Sequence, residues 1–388
     1  MRRAYLDHAS TSPLRPEARQ AMVAALDSHV GDPGRIHEEG LSARVALETA
    51  REQVAALLGA RSREVVFTSG ATEAIASAVW GAAERARVNG ASGRHQVVSA
   101  VEHSAVRLAA ERAGEVTVVP VDRRGRVTVD DVVAAIGHDT AVVHVQWGNH
   151  EVGTVQPVVE AVAACRERGV LIHVDAAQAV GRIPIAFDDL GADLLSVSGH
   201  KLGGPPGTGA LLVRRGLRLP PLLVGGDQER ARRAGLEPVA ALVGLGAVCA
   251  VLSSTTSASS PGTVLREEVA VASRQTQRLR DGVADLDGVE VYGDADHRLP
   301  HLVCLGIAGI EPQAVLLGLD RAGVAAHSGS ACSSESLEPS PVLEAMGVDA
   351  HRSLRLSVGW STTEADLDLA LAALPVTIDR LRRLAAET

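Results

Sequence analysis

The sequence predicts an α/β fold: a mostly parallel sheet covered by helices, followed by a smaller C-terminal α+β domain. Three observations predict it. Short β-branched runs alternate with Ala-rich helical segments between about residues 65 and 213. The runs are apolar almost without interruption, as strands buried on both faces must be. A Ser-rich stretch ending in Pro-Gly, Ser253 to Gly262, then separates this region from a second set of elements. A chain of 388 residues is long for one core. The expected division is 15–258 for the large domain and 259–388, with 1–14, for the small one.

The chain opens with a short strand around Tyr5 and a Ser-Thr-Ser-Pro turn, then shows helical spacing over about 16–30 and 41–58. Strands are expected at 65–68, 96–100, 116–121, 141–147, 170–174, 194–198 and 210–213. Helices are expected between most neighbours, at 71–88, 105–113, 130–136 and 158–168. After a helix at 238–252, Ser253 to Gly262 has linker composition, and an Arg-rich helix covers 264–286. The C-terminal part alternates strands at 289–292, 301–306 and 354–358 with helices at 312–322, 339–346 and 363–385. Ligands of such a sheet gather at the carboxyl ends of its strands.

Composition narrows the function. The net charge of −9 argues against a general nucleic-acid or anionic-membrane binder. The first residues lack the apolar stretch of a signal peptide, and no run of about 18 apolar residues occurs, so a cytoplasmic location is expected. Four cysteines, Cys165, Cys249, Cys304 and Cys332, are far apart, without a zinc-like spacing or a disulfide pattern. No metal site is expected. Three of them lie in apolar runs and suit core packing. Cys332 lies in a small polar loop, His327 to Glu335, where a thiol is accessible.

Lys201 is the only lysine among 38 long cations. Arginine cannot lose its proton in a protein, whereas a desolvated lysine can become an amine nucleophile. A Schiff-base lysine is therefore expected, although a chance surface survivor has the same composition. Two further features converge on the sheet rim. Strand 65–67 runs into Thr68-Ser69-Gly70-Ala71-Thr72-Glu73 and a helix, so free N–H groups and the Thr72 hydroxyl suit a phosphate. An ordinary helix cap uses the same residues. Strand 171–174 ends in Asp175, a carboxylate that needs a cationic partner if buried, unless it merely caps a helix. A protonated pyridine nitrogen is one such partner.

Seven stretches, in order, carry a resemblance: Phe67 to Glu73, Glu102-His103, Asn149 to Gly153, His173 to Gln178, Ser198 to Lys201, Ser328 to Cys332 and Arg355 to Ser357. In these the chain resembles the cysteine desulfurases of the class V aminotransferase group, fold-type I pyridoxal-phosphate enzymes, from Tyr5 to the last helix. The resemblance implies pyridoxal 5'-phosphate bound to Lys201, which also shuttles the Cα proton. It implies that Asp175 pairs with the pyridinium nitrogen, Gln178 contacts the phenolic oxygen, and His103 stacks on the ring as acid/base. Ala71, Thr72, Ser198 and His200 would surround the phosphate, and His150 would lie against the cofactor. Arg355, with Asn149, would bind the carboxylate of L-cysteine. Cys332 would take the sulfur as a persulfide and pass it to a sulfur-acceptor protein. The family also implies a homodimer.

Two positions depart from the pattern. His150 stands where the family usually has a second asparagine, and imidazole is bulkier and can become charged. Leu236 stands where the family usually has a threonine reaching the partner's phosphate, and it has no donor. A selenocysteine lyase, another class V lyase or aminotransferase, or a weakened scaffold that binds a sulfur carrier are the alternatives. Cys332 favours the desulfurase, and the retained Lys201 counts against the scaffold.

Overall fold

A computed structural model of the chain describes residues 3–90, 94–257, 260–330 and 339–387. Its central sheet has seven strands among the described residues, in the order 65–68, 209–213, 194–198, 171–175, 140–146, 95–99, 116–119. All neighbours pair in parallel except strand 209–213, which runs antiparallel to both 65–68 and 194–198. The strands from 142 to 146, 172 to 175 and 194 to 198 are buried throughout, so their side chains need apolar or internally satisfied partners on both faces. Gln96, His144, His173 and Ser196 form a buried hydrogen-bonded row, in which only the Gln96 Nε2 has no partner. His144 joins Gln96 at 2.9 Å and His173 at 2.9 Å, and His173 joins Ser196 at 2.7 Å.

Helix Ala71–Val88 follows the first strand of the sheet. Gly70 permits the turn between them with φ 153° and ψ −179°, a backbone region in effect restricted to glycine. Arg85 and Arg87 in its last turn complement the helix dipole. Helix Val239–Ser253 is apolar all round because it is wedged between helices Pro16–Ser28 and Glu38–Leu57. Its glycines allow the close approach: a Cβ on Gly246 would lie 2.7 Å from the Ala50 Cα.

The Ser-rich stretch expected to be a linker forms an antiparallel hairpin of 255–257 with 260–263. Thr255 and its partner Thr263 are β-branched and suit a strand as well as a loop. Beyond it, strands 289–292, 302–307 and 353–357 form an antiparallel sheet, packed with helices Val264–Val283, Pro312–Arg321 and Glu364–Glu387 around a second core. The N-terminal residues join this C-terminal unit, since strand Ala4–Tyr5 pairs in parallel with Val324–Ala325 and Asp7 bridges Ser357. Residues 7–15 then pass from the small sheet to the large one, and that crossing builds one side of the site.

Candidate active site

A cavity of about 520 Å³ lies at the carboxyl ends of the parallel strands and is closed on one side by the C-terminal unit. That volume is in the range of small-molecule sites. Lys201 enters it from the one-turn segment His200–Leu202 that follows strand 194–198. Burial lowers the ammonium to about 8; Asp175 opposes that shift and Arg355 adds to it. About a tenth of the amine is thus neutral at pH 7, far more than for an ordinary lysine, and an amine nucleophile needs that form.

Asp175 ends its strand on the cavity wall and is buried. Burial raises its pKa, against a hydrogen bond from the Ala177 N–H at 3.0 Å and the charge of Lys201. No Arg, Lys or His pairs with it within 4.0 Å among the described residues, so the carboxylate is short of a cation. Gln178 is half committed: its Nε2 donates to the Ala9 carbonyl at 2.7 Å and its Oε1 meets His301 Nε2 at 3.1 Å. One amide hydrogen remains for the cavity.

His103 caps helix Ser104–Ala113, its Nδ1 accepting the Ala105 N–H at 3.1 Å. That bond places the ring proton on Nε2. Burial brings its pKa down to about 3, with His150 and Lys201 adding to the shift, so the ring is neutral at physiological pH. His150 meets it edge to face with ring centroids 5.0 Å apart. The His150 Nδ1 is buried without a hydrogen-bond partner, and its Nε2 lies 3.5 Å from Glu151 Oε1. Burial, then Lys201 and Arg355, hold His150 well below the usual histidine range, while burial raises Glu151 to about 7. Two imidazoles in contact resist being charged together. His150→Asn will therefore let His103 protonate more easily and move the acid limb of the pH–rate profile to higher pH; an unchanged limb would refute this coupling.

The phosphate candidates converge as well. Ser69, Gly70, Ala71 and Thr72 line the cavity at the N-terminus of the helix Ala71–Val88, opposite Ser198 and His200. Glu73 secures this loop by accepting the Ser69 N–H at 2.9 Å, and Arg233 neutralises Glu73 with bonds of 2.8 and 3.1 Å. Nearby Leu236 is exposed.

Arg355 comes from strand 353–357 and is buried at the cavity wall. Its Nη1 donates to the His150 carbonyl at 2.6 Å, and its Nη2 donates to Asp7 Oδ1 at 3.0 Å and Ser10 Oγ at 2.7 Å. The Nε has no hydrogen-bond partner. Asp7 and Ser10 were not singled out from sequence. Asn149, expected beside the substrate, does not line the cavity: its Oδ1 accepts the Glu151 and Val152 N–H groups at 2.8 Å, and its Nδ2 donates to the Val101 carbonyl at 3.2 Å. It shapes the turn that presents His150. Cys332 lies outside the described residues, while Ser330 of the same stretch lines the cavity. No group of three metal-ligating side chains occurs among the described residues, and none of their helices is long and apolar enough to cross a membrane.

The fold and this lysine-centred cavity define a class: the chain belongs to the class-V aminotransferases, whose family model matches residues 4–370. Within that class it is similar to cysteine desulfurases. It is 40% identical to cysteine desulfurase IscS of Dictyoglomus turgidum, over 99% of this chain and 96% of the relative. It is 41% identical to putative cysteine desulfurase IscS 1 of Bacillus subtilis, over 98% and 100%. Among solved structures, a NifS-like protein superposes with a TM-score of 0.87 at 28% identity, over 98% of this chain and all of the other. SspA, solved in complex with cysteine, superposes with a TM-score of 0.78 at 28% identity, over 93% of this chain.

Proposed function

We propose that this chain is a pyridoxal 5'-phosphate-dependent cysteine desulfurase that converts L-cysteine to L-alanine and passes the sulfur, as a persulfide on Cys332, to a sulfur-acceptor protein. The observation that carries the reading is the convergence on one cavity of an amine lowered to about 8, a buried carboxylate short of a cation and a partly unsatisfied guanidinium.

The residues fit the cofactor. Asp175 has the charge a pyridinium nitrogen needs, Gln178 keeps one amide hydrogen for the phenolic oxygen, and the Ser69–Thr72 loop with Ser198 and His200 offers donors to a phosphate. When bound, the cofactor supplies an electron sink that acidifies the substrate Cα–H and activates the adjacent Cβ–S bond. Lys201 holds the cofactor and, once freed from it, its Nζ moves the proton at the substrate carbon. His103 presents its Nε2–H to the cavity and keeps that proton because its ring is neutral. Arg355 binds the substrate carboxylate through the hydrogens that the His150 carbonyl, Asp7 and Ser10 leave free. The Cys332 thiolate then attacks the substrate sulfur: an S–S bond forms as the Cβ–S bond breaks, and the electron pair stays on Cβ, where a proton completes alanine. Sulfur is oxidised and carbon reduced by the same pair, so no external oxidant is needed.

The SspA complex with cysteine supports the substrate class, and the relatives named cysteine desulfurase IscS support the reaction; delivery to iron–sulfur assembly, tRNA thiolation or a similar acceptor is part of the reading. The reading includes a cytoplasmic homodimer and a two-domain division at about 258–259. Separate hydrophobic clusters of the large sheet and of the C-terminal elements support two domains, and helix Val264–Val283 joins them, with Leu265 in the first and Leu279 in the second.

The test is direct. Protein loaded with pyridoxal phosphate will be yellow and will yield alanine and sulfide from L-cysteine in a reducing assay. Cys332→Ala will keep the colour and lose about 10²-fold or more in sulfide release. A colourless protein would exclude the cofactor, and colour with Cys332-independent release would favour a simple lyase.

A further inference from the structure

The turn that carries Lys201 is gripped from behind at four consecutive carbonyls. His200 O accepts the Ser12 N–H at 3.1 Å and Gly203 O accepts the Arg15 N–H at 2.9 Å. Leu202 O accepts from Arg15 Nε at 3.1 Å. Lys201 O accepts two donors, Ser12 Oγ at 2.9 Å and Arg182 Nη2 at 2.9 Å. The same Nη2 also donates to Ser12 Oγ at 2.8 Å, closing a triangle around the lysine carbonyl.

Arg182 is an unexpected residue for that place. It is buried, and burial brings its pKa down to about 10. The acid whose charge acts on it, Glu268, is engaged on both oxygens by Arg15 at 2.8 and 2.6 Å. No carboxylate pairs with Arg182 within 4.0 Å among the described residues. A buried cation without its own counter-ion costs stability, and a lone carbonyl acceptor does not require one. On its other side Ser12 Oγ meets the buried ring of His8 at 3.0 Å, and His8 Nε2 meets Thr362 Oγ1 at 3.3 Å, which ties the network to the C-terminal unit. Six residues of chain, from Asp7 and Ser10 on Arg355 to Ser12 on Lys201, thereby link the carboxylate clamp to the amine.

We propose that Arg182, together with Ser12, is a positioning residue for Lys201: it fixes the main chain from which the amine reaches the cavity and sets a permanent positive charge behind it. The inference rests on the reading that Lys201 carries the cofactor. The charges that face Lys201 are Asp175 and Asp7, which favour its cationic form, and Arg355 and Arg182, which oppose it. Removing Arg182 therefore tips the balance toward the cation, and the ionisation of the lysine-bound cofactor will move to higher pH. The two donors on the carbonyl act separately from that charge.

The experiment uses the full chain reconstituted with pyridoxal phosphate, and follows the visible absorbance against pH together with kcat and KM for L-cysteine. Arg182→Gln will raise the absorbance midpoint by about one pH unit and lower kcat about tenfold, with a smaller change in KM. Arg182→Lys restores the charge and will return the midpoint to the wild-type value. Ser12→Ala keeps the charge, so its midpoint will stay in place while kcat falls. Arg182→Gln with wild-type midpoint and kcat would overturn the proposal, as would equal midpoint shifts in the Gln and Lys variants. Should Arg182→Gln not fold, a wild-type kcat in Ser12→Ala would overturn it. Wild-type protein that stays colourless with the cofactor would instead remove the cofactor reading.

Discussion

Lys201→Arg will reduce turnover of L-cysteine by at least about 10⁴-fold, because it removes a nucleophile and a proton carrier in one substitution, and proton transfer alone is commonly worth about 10²–10⁴. The substitution is the sharpest available because it keeps the charge. The wild-type ammonium is lowered to about 8, chiefly by burial, so the neutral amine is accessible at working pH. Guanidinium stays charged in any protein environment and cannot attack a carbonyl carbon. Charge-based partners such as Asp175 and Asp7 therefore keep a cation beside them, and the fold should persist. Borohydride treatment followed by intact mass will show the cofactor fixed to wild-type protein and absent from the variant. Residual activity above about one per cent of wild type would show that another group forms the covalent bond, since a loss under 10² lies at the floor expected of proton transfer alone.

Lys201 was legible because a composition with a single lysine marks it, and Asp175 because an apolar strand that ends in a carboxylate demands a partner. The sheet was legible for the same local reason: near-continuous apolar runs have few other homes. Strand direction was not. Strand 209–213 has the same apolar run as the parallel strands of the sheet, and nothing in its residues shows that it runs against both neighbours. The side of the site built by residues 7–15 was equally hidden. Asp7 and Ser10 reach Arg355 across more than three hundred residues of chain, and only the pairing of the N-terminal strand with 324–325 brings them there. Asn149 shows the converse, since a motif position predicts proximity but not which way an amide faces. Its side chain satisfies the backbone of the tight turn that carries His150, a local demand that outweighed the cavity.

Glu229→Gln will destabilise the protein by about 3–5 kcal/mol, the usual result of removing one charge from a buried ion pair. The Glu229 carboxylate receives Arg51 Nη1 at 2.6 Å and Nη2 at 2.7 Å, and also the Phe67 N–H at 2.8 Å. Both side chains are almost completely buried, at 2% and 1% exposure, so water cannot replace the lost partner. Burial pushes the Arg51 pKa down and the bonds to Glu229, with a smaller share from Glu48 on Nε at 3.2 Å, more than offset it, so the amide variant leaves Glu48 alone to compensate the buried guanidinium. The segment itself adds to the penalty: Glu229, Arg230 and Ala231 all have φ between 49° and 60°, a conformation that non-glycine residues adopt only under constraint. Releasing it frees the anchor of strand 65–68, whose end is the Ser69–Thr72 loop, and loosens Arg233 from Glu73. The thermal midpoint will fall and the affinity for pyridoxal phosphate will fall with it. Replacing both partners, as Arg51→Met with Glu229→Leu, should recover most of the stability, because a buried pair exchanged for apolar volume is often nearly neutral. It should not recover the cofactor affinity, because the Phe67 N–H still lacks its acceptor. A Glu229→Gln protein that melts with the wild type would show that the pair is not what holds this loop to the strand.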